Sequence, residues 1–159
     1  MAVNQSAQEI IALLRDRGET LCVAESITGG GLGSFITQIP GASDVFLGGV
    51  ISYSTRLKEV LLHVPPTLIE EFTVVSEEVA QAMAAGARLA TGATWAIATT
   101  GVAGPGPSEG LPAGTVWVAI DGPTPHSMVL DLQGGREDVR NATISSAISA
   151  FSRILSTRS

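Results

Sequence analysis

The chain is poor in the side chains on which much protein chemistry rests. Its 159 residues hold one cysteine, Cys22, and two histidines, His63 and His126. A single cysteine excludes a disulfide framework and suits a reducing compartment, so a cytoplasmic location is expected. The histidines are far apart and neither has a metal-ligand pattern around it, which argues against a zinc site. No metal or other cofactor is expected. Four Phe, two Trp and one Tyr give no evident platform for stacking bases. Nine basic residues stand against fifteen acidic ones, a formal net charge of −6, with no run of Lys or Arg. Nucleic acid is therefore a poor partner. No apolar run approaches the ~18 residues of a membrane span. The opening MAVNQSAQEI lacks the basic and apolar regions of a signal peptide, so no membrane partner is expected.

What is present is a compact composition, 45% hydrophobic and 15% charged. It is enough for one domain across residues 1–159. The chain is organised around Leu21 to Pro40, LCVAESITGGGLGSFITQIP. Leu21 to Ala24 reads as a buried strand. Glu25-Ser26-Ile27-Thr28 breaks it and leads into a glycine cluster. Leu32, Phe35, Ile36 and Ile39 then recur at helical spacing. The reading is strand, sharp turn, helix, with Ser26 at the turn and helix N–H groups aimed at whatever binds there. A serine that merely caps a helix is the plainer alternative.

Before this unit, Ser6-Ala7-Gln8-Glu9 has the form of a capping box. It opens a helix carried by Ile10, Ile11 and Leu14 and stopped at Gly18. After it, Val45 to Tyr53 predicts a second buried strand, with Gly48-Gly49 marking a bulge or a close backbone approach. Ser54 or Thr55 caps a short helix that Pro65-Pro66 ends, and a further short helix spans about 68–72. Ser76, followed by Glu77 and Glu78, starts a strong helix that ends at Gly92. Trp95 to Thr100, Thr115 to Ile120 and Ser127 to Leu132 read as strands, the last two joined by a tight turn and hence antiparallel. Gly101 to Gly114 is a Gly- and Pro-rich loop of the length that functional loops have. Ile144, Ile148, Phe151 and Leu155 mark a last helix. The fold class that follows is α/β: a three-layer α/β/α sandwich on a mixed, mostly parallel five-stranded sheet.

Ser26, the segment from Tyr53 to Lys58, and Thr100-Gly101 fall at the carboxyl ends of the first three strands. In an open sheet those ends converge on one crevice. There they offer a nucleophile with a candidate base. Lys58 sits in the first turn of its helix, where a cation opposes the dipole. That field and burial together would lower its pKa enough to let it take a proton from serine; a surface accident is the alternative. Ile27 and Thr28 supply the backbone donors best placed for an oxyanion. Arg140 falls on the buried face of the last helix, there to meet an anion or a carboxylate such as Glu25. The loop from Gly101 is not a P-loop.

The segments AESITGG, FLGGVISYSTRLK, VSEEVAQAMAAGA, TTGVAGPGP, PAGTVWVAI and GGREDVRNA occur here in order. Together they resemble the CinA C-terminal domain family, in its stand-alone form the PncC-type nicotinamide-nucleotide amidases, over roughly Thr20 to Leu155. The longer members of that family add an N-terminal molybdopterin-binding-like domain that has no counterpart in these residues. The resemblance implies the same sandwich fold. It also implies hydrolysis of nicotinamide mononucleotide to nicotinic acid mononucleotide and ammonia. Ser26 would be the nucleophile and Lys58 the base, with Tyr53 close enough to share that role. Thr28, Gly29, Gly30, Thr100, Gly101 and Arg140 would make up the substrate site. The chain departs from the family pattern in three places: Ile27 stands where many members have Cys, Pro107-Ser108 replaces part of a more glycine-rich loop, and Gly134-Gly135-Arg136 replaces Gly-Asp-Arg. A non-catalytic nucleotide-binding or interaction module of the same fold is the competing expectation. A homodimer or higher homo-oligomer is expected because small α/β enzymes are commonly symmetric assemblies.

Overall fold

The structure, a computed structural model, describes residues 2–158. Five strands form one sheet: β1 (Leu21–Glu25), β2 (Phe46–Ile51), β3 (Trp95–Gly101), β4 (Thr115–Asp121) and β5 (His126–Asp131). Their order is β2-β1-β3-β4-β5. β1 pairs in parallel with β2 and β3, while β4 is antiparallel to both β3 and β5. The sheet is mixed as expected, but only half its pairings are parallel. The loop 102–114 carries no crossover helix, so the chain re-enters the sheet from the end it left and β4 runs back along β3.

Six helices cover the two faces: α1 (Ala2–Arg17), α2 (Gly31–Thr37), α3 (Thr55–Leu62), α4 (Pro66–Phe72), α5 (Glu77–Thr91) and α6 (Arg136–Thr157). Each face has its own core. On one, Leu21, Val23, Trp95, Ile97, Val116 and Val118 meet apolar side chains of α1, α2 and α6. On the other the sheet presents Cys22, Ala24, Ala96, Ala98 and Ala119 to α5, which answers with Val79, Ala80, Met83, Ala84 and Ala87. Small residues on both sides bring α5 close to the sheet.

Several boundaries differ from the sequence reading. α1 begins at Ala2 and runs through Ser6, which is not its cap. Val3 packs on the core four residues before Ala7 and extends the same apolar stripe. Pro66 is the first residue of α4, where its missing N–H costs nothing. β2 is an edge strand and leaves Leu47 and Ile51 exposed, so it is not buried on both sides. Both expectations for Gly48-Gly49 hold. The register shifts just before Gly48, where Leu47 is passed over between the Phe46 and Gly48 pairings, and a Cβ on Gly49 would lie 2.1 Å from the Val23 carbonyl oxygen.

Gly86 has the same kind of role in α5. A Cβ there would stand 1.9 Å from the carbonyl oxygen of Leu62, at the end of α3. The missing side chain lets α3 seat against α5, and α3 carries Lys58. Gly86→Ala should therefore destabilise the protein, although alanine favours an isolated helix by about 1 kcal/mol. Overpacking of about 1–3 kcal/mol should win, lowering the urea midpoint at unchanged m-value. A raised midpoint would show that α3 yields freely.

Candidate active site

The chemistry-bearing side chains gather at the carboxyl ends of β1, β2 and β3. Ser26 follows the last residue of β1, and its N–H donates to the Thr99 carbonyl of β3 at 3.0 Å. Two tight bonds shape the turn behind it, Gly29 N–H to Ser26 O at 3.1 Å and Gly31 N–H to Thr28 O at 2.8 Å. Thr28 Oγ1 lies 2.8 Å from Thr99 Oγ1 and ties the turn to the sheet.

Lys58 enters from α3, which Ser54 caps by accepting the Leu57 N–H at 3.2 Å. Only 2% of Lys58 is exposed. Its Nζ lies 2.9 Å from Ser26 Oγ, 2.7 Å from the Ser52 carbonyl oxygen and 3.3 Å from that of Tyr53. Among the described residues no carboxylate forms an ion pair with it. Burial pushes its pKa down from 10.5 to about 8. A charged amine is disfavoured where water is excluded and no anion replaces it. The three neighbours suit either protonation state. As an ammonium, Lys58 donates to all three oxygens. As a neutral amine it keeps two N–H bonds on the carbonyls and turns its lone pair to Ser26, whose hydroxyl then donates.

Glu25 is the residue that the sequence reading undervalued. It is 1% exposed, and its carboxylate accepts the N–H groups of Gly30 at 3.2 Å, Leu32 at 2.8 Å and Gly33 at 2.9 Å. The start of α2 has no capping side chain of its own, and Glu25 supplies one from the strand. The helix N–H groups expected to face a ligand are thus occupied from within. The N–H groups of Ile27 and Thr28 take no partner among the described residues. Thr28 is fully buried, while Ile27 borders the cleft.

The cleft has a volume of about 640 Å³, and Ser26, Ile27, Tyr53, Lys58, Thr100, Gly101 and Arg136 line it together with the rim residues Gly104 to Glu109. The structure thus brings Ser26, Lys58, Tyr53, Thr100 and Gly101 together. Thr100 turns its hydroxyl to the Val74 carbonyl at 2.7 Å. Tyr53 is 62% exposed; its backbone carbonyl meets Lys58, while its hydroxyl lies 2.9 Å from Arg136 Nη2. Thr28, Gly29, Gly30 and Arg140 do not border this cleft. Gly29 and Gly30 serve packing instead: a Cβ would stand 3.2 Å from Arg140 Nη2 at the first and 2.9 Å from Ile51 Cδ1 at the second. Arg140 meets neither Glu25 nor the cleft. Its Nε donates to the Ile27 carbonyl at 3.1 Å and its Nη2 to that of Thr28 at 3.0 Å. It braces the serine turn through backbone, a partner that no sequence pattern announces.

Arg136, which the sequence reading names only as part of a departure from the family pattern, is the arginine at the cleft. Besides Tyr53 it donates from Nη1 to the Gly104 carbonyl at 2.6 Å. Among the described residues, no three His, Cys, Asp or Glu side chains are placed to hold a metal ion together, and no helix is long and apolar enough to cross a membrane.

Comparison with known proteins agrees with this architecture. The chain matches the CinA C-terminal domain over residues 3–155. A CinA-like protein of Synechococcus sp. (strain RCC307) is 48% identical over 146 residues, which are 89% of this chain and 35% of that protein. A CinA-like protein of Synechocystis sp. is 46% identical over 94% of this chain and 37% of its own length. The chain thus spans little more than a third of these curated relatives. Among solved structures, the competence damage-inducible protein A (ComA) from Klebsiella pneumoniae superposes with a TM-score of 0.94 at 31% identity, covering 99% of both chains. The competence/damage inducible protein from Agrobacterium tumefaciens gives a TM-score of 0.93 at 30% identity, covering 99% of this chain and 97% of that one. Matched in sequence across nearly its whole length and in fold from end to end, the chain belongs to the CinA C-terminal domain family.

Proposed function

We propose that the protein is an amidohydrolase that removes the amide of nicotinamide mononucleotide, releasing ammonia and nicotinic acid mononucleotide by acyl transfer to Ser26. The observation that carries this reading is the buried contact between Ser26 Oγ and a lysine with no carboxylate beside it. Such a lysine is a base near neutral pH, and a serine hydroxyl beside a base is an activated nucleophile.

The steps balance on these two side chains. Neutral Lys58 takes the hydroxyl proton as Ser26 Oγ forms a bond to the amide carbon. The oxygen of the tetrahedral intermediate accepts the Ile27 N–H, the unpartnered donor that borders the cleft; one such donor is typically worth about 2.7–4 kcal/mol of barrier. As the C–N bond breaks, the Lys58 ammonium returns the proton to the departing nitrogen and ammonia leaves. Water then attacks the acyl-enzyme, giving its proton to Lys58, and Ser26 regains its hydrogen as the acid departs. Both carbonyls stay bound to Lys58 throughout, so the amine changes charge without changing place. Glu25 and Arg140 hold the turn from two sides while this happens.

Ser26→Ala should fold normally and lose at least about a thousandfold in turnover, as removal of a nucleophile does. Ammonia release from nicotinamide mononucleotide is the measurement. A variant retaining more than roughly a tenth of the rate would remove Ser26 from this role, and no release by the wild type would leave a binding module of the same fold.

Lys58 should set the acid limb of the pH profile. The neutral amine is the working form, so kcat/KM should rise with pH and level off above about 8. Lys58→Arg, which keeps the charge but cannot give it up, should be as inactive as Lys58→Met. The same group writes a stability signature. Its folded-state pKa of about 8 lies below the ordinary 10.5, so the folded state binds fewer protons between those values. Stability of the wild type relative to Lys58→Met should therefore rise across that window and be flat below it. A flat difference throughout would mean that Lys58 is not desolvated.

A further inference from the structure

We infer that Arg136 is the anion-reading residue of this cleft and that the Tyr53 hydroxyl is its positioning partner rather than a base. The inference rests on the amidohydrolase reading and names how the substrate's phosphate is recognised. Arg136 and Arg140 form no ion pair among the described residues. In a chain of net charge −6, a carboxylate partner for either was abundant. Arg140 uses its guanidinium on the carbonyls of Ile27 and Thr28 and lies outside the cleft. Arg136 lines the cleft together with Ser26 and Lys58.

Two of its donors are engaged, Nη1 with the Gly104 carbonyl at 2.6 Å and Nη2 with the Tyr53 hydroxyl at 2.9 Å. These partners come from two separate segments, one after β2 and one after β3, and fix the plane of the group. A guanidinium has five N–H donors, so three remain, among them the Nε–H. These donors are left for a phosphate, on a group already oriented and with no ion-paired carboxylate to displace. The N–H of Gly135 does not compete for the same anion, because it donates to Asp138 at 2.9 Å. The Tyr53 hydroxyl makes its contact with Arg136, and only the Tyr53 carbonyl reaches Lys58. The phenol therefore acts on the arginine, and through it on the phosphate.

The test compares nicotinamide mononucleotide with the phosphate-free nicotinamide riboside, and adds inorganic phosphate followed by NMR titration of the pure protein. Arg136→Met should lower kcat/KM for the mononucleotide by roughly 10- to 100-fold, the range of a charge-assisted hydrogen bond. The slow hydrolysis of the riboside should fall by a much smaller factor, so that the ratio of the two carries the effect. Tyr53→Phe should move the same ratio in the same direction by a smaller factor, and Arg136→Lys should restore part of it. Inorganic phosphate should shift wild-type signals around the cleft and lose that effect in Arg136→Met. An equal loss on both substrates, or none on either, would make Arg136 a strap across the rim and overturn the assignment. So would a Tyr53→Phe variant that loses both substrates alike, since the phenol would then serve the reaction itself. Should the wild type hydrolyse neither compound, the amidohydrolase reading fails, and the phosphate titration still decides whether Arg136 receives an anion.

Discussion

A lysine has been buried almost wholly, at the floor of a cleft, with no acid to keep it charged, and the site is built around that constraint. An isolated ammonium in such surroundings is costly. The protein meets the cost with backbone oxygens, which stabilise the ammonium moderately and tolerate the amine equally well. A carboxylate in their place would have held the proton on the nitrogen and ruled out the proposed role as a base. The position of the Ser52 and Tyr53 carbonyls thus matters as much as the identity of the lysine. That position depends on where β2 stops and α3 begins, and so on Gly86 beneath α3 and the small-residue packing of α5.

The serine turn shows the complementary arrangement. Glu25 takes the positive end of α2 and Arg140 takes the carbonyls of Ile27 and Thr28, so charges of both signs hold the loop without facing the reacting atoms. Each is satisfied by main-chain groups, and main-chain partners do not swing away. The result is a short stretch fixed at both its donors and its acceptors, with the Ile27 and Thr28 N–H groups left over. A site held within fractions of an ångström needs this kind of support.

How much of this could be read from the sequence depends on how local each signal is. Ser26 was legible because a strand, a glycine turn and a helical stripe follow one another within twenty residues, and Lys58 because a cation in a first helical turn is out of place. The sandwich was legible from alternating apolar segments. The direction of β4 was not, because a Gly- and Pro-rich loop of that length connects strands of either sense. The sequence reading gives the anion to Arg140 because helical spacing ranks side chains by burial. Which arginine faces the cleft is decided by Tyr53 and Gly104, which come from distant parts of the chain. Glu25 was noticed only as a possible partner for Arg140, since its true partners are N–H groups that every sequence has.

The absence of an opposite charge beside Lys58 has one more consequence, for ionic strength. Added salt screens exposed charges across some 8–10 Å at ordinary concentrations and reaches buried groups far less. In the proposed reaction the proton passes between Ser26 and Lys58, buried groups that lean on no ion pair, so dissolved ions would leave it alone. Arg136 stands at an open rim and does not share that protection. On the proposed function, salt would act on the arrival of a charged substrate and spare what happens to it afterwards, dividing capture from chemistry within a single small cleft.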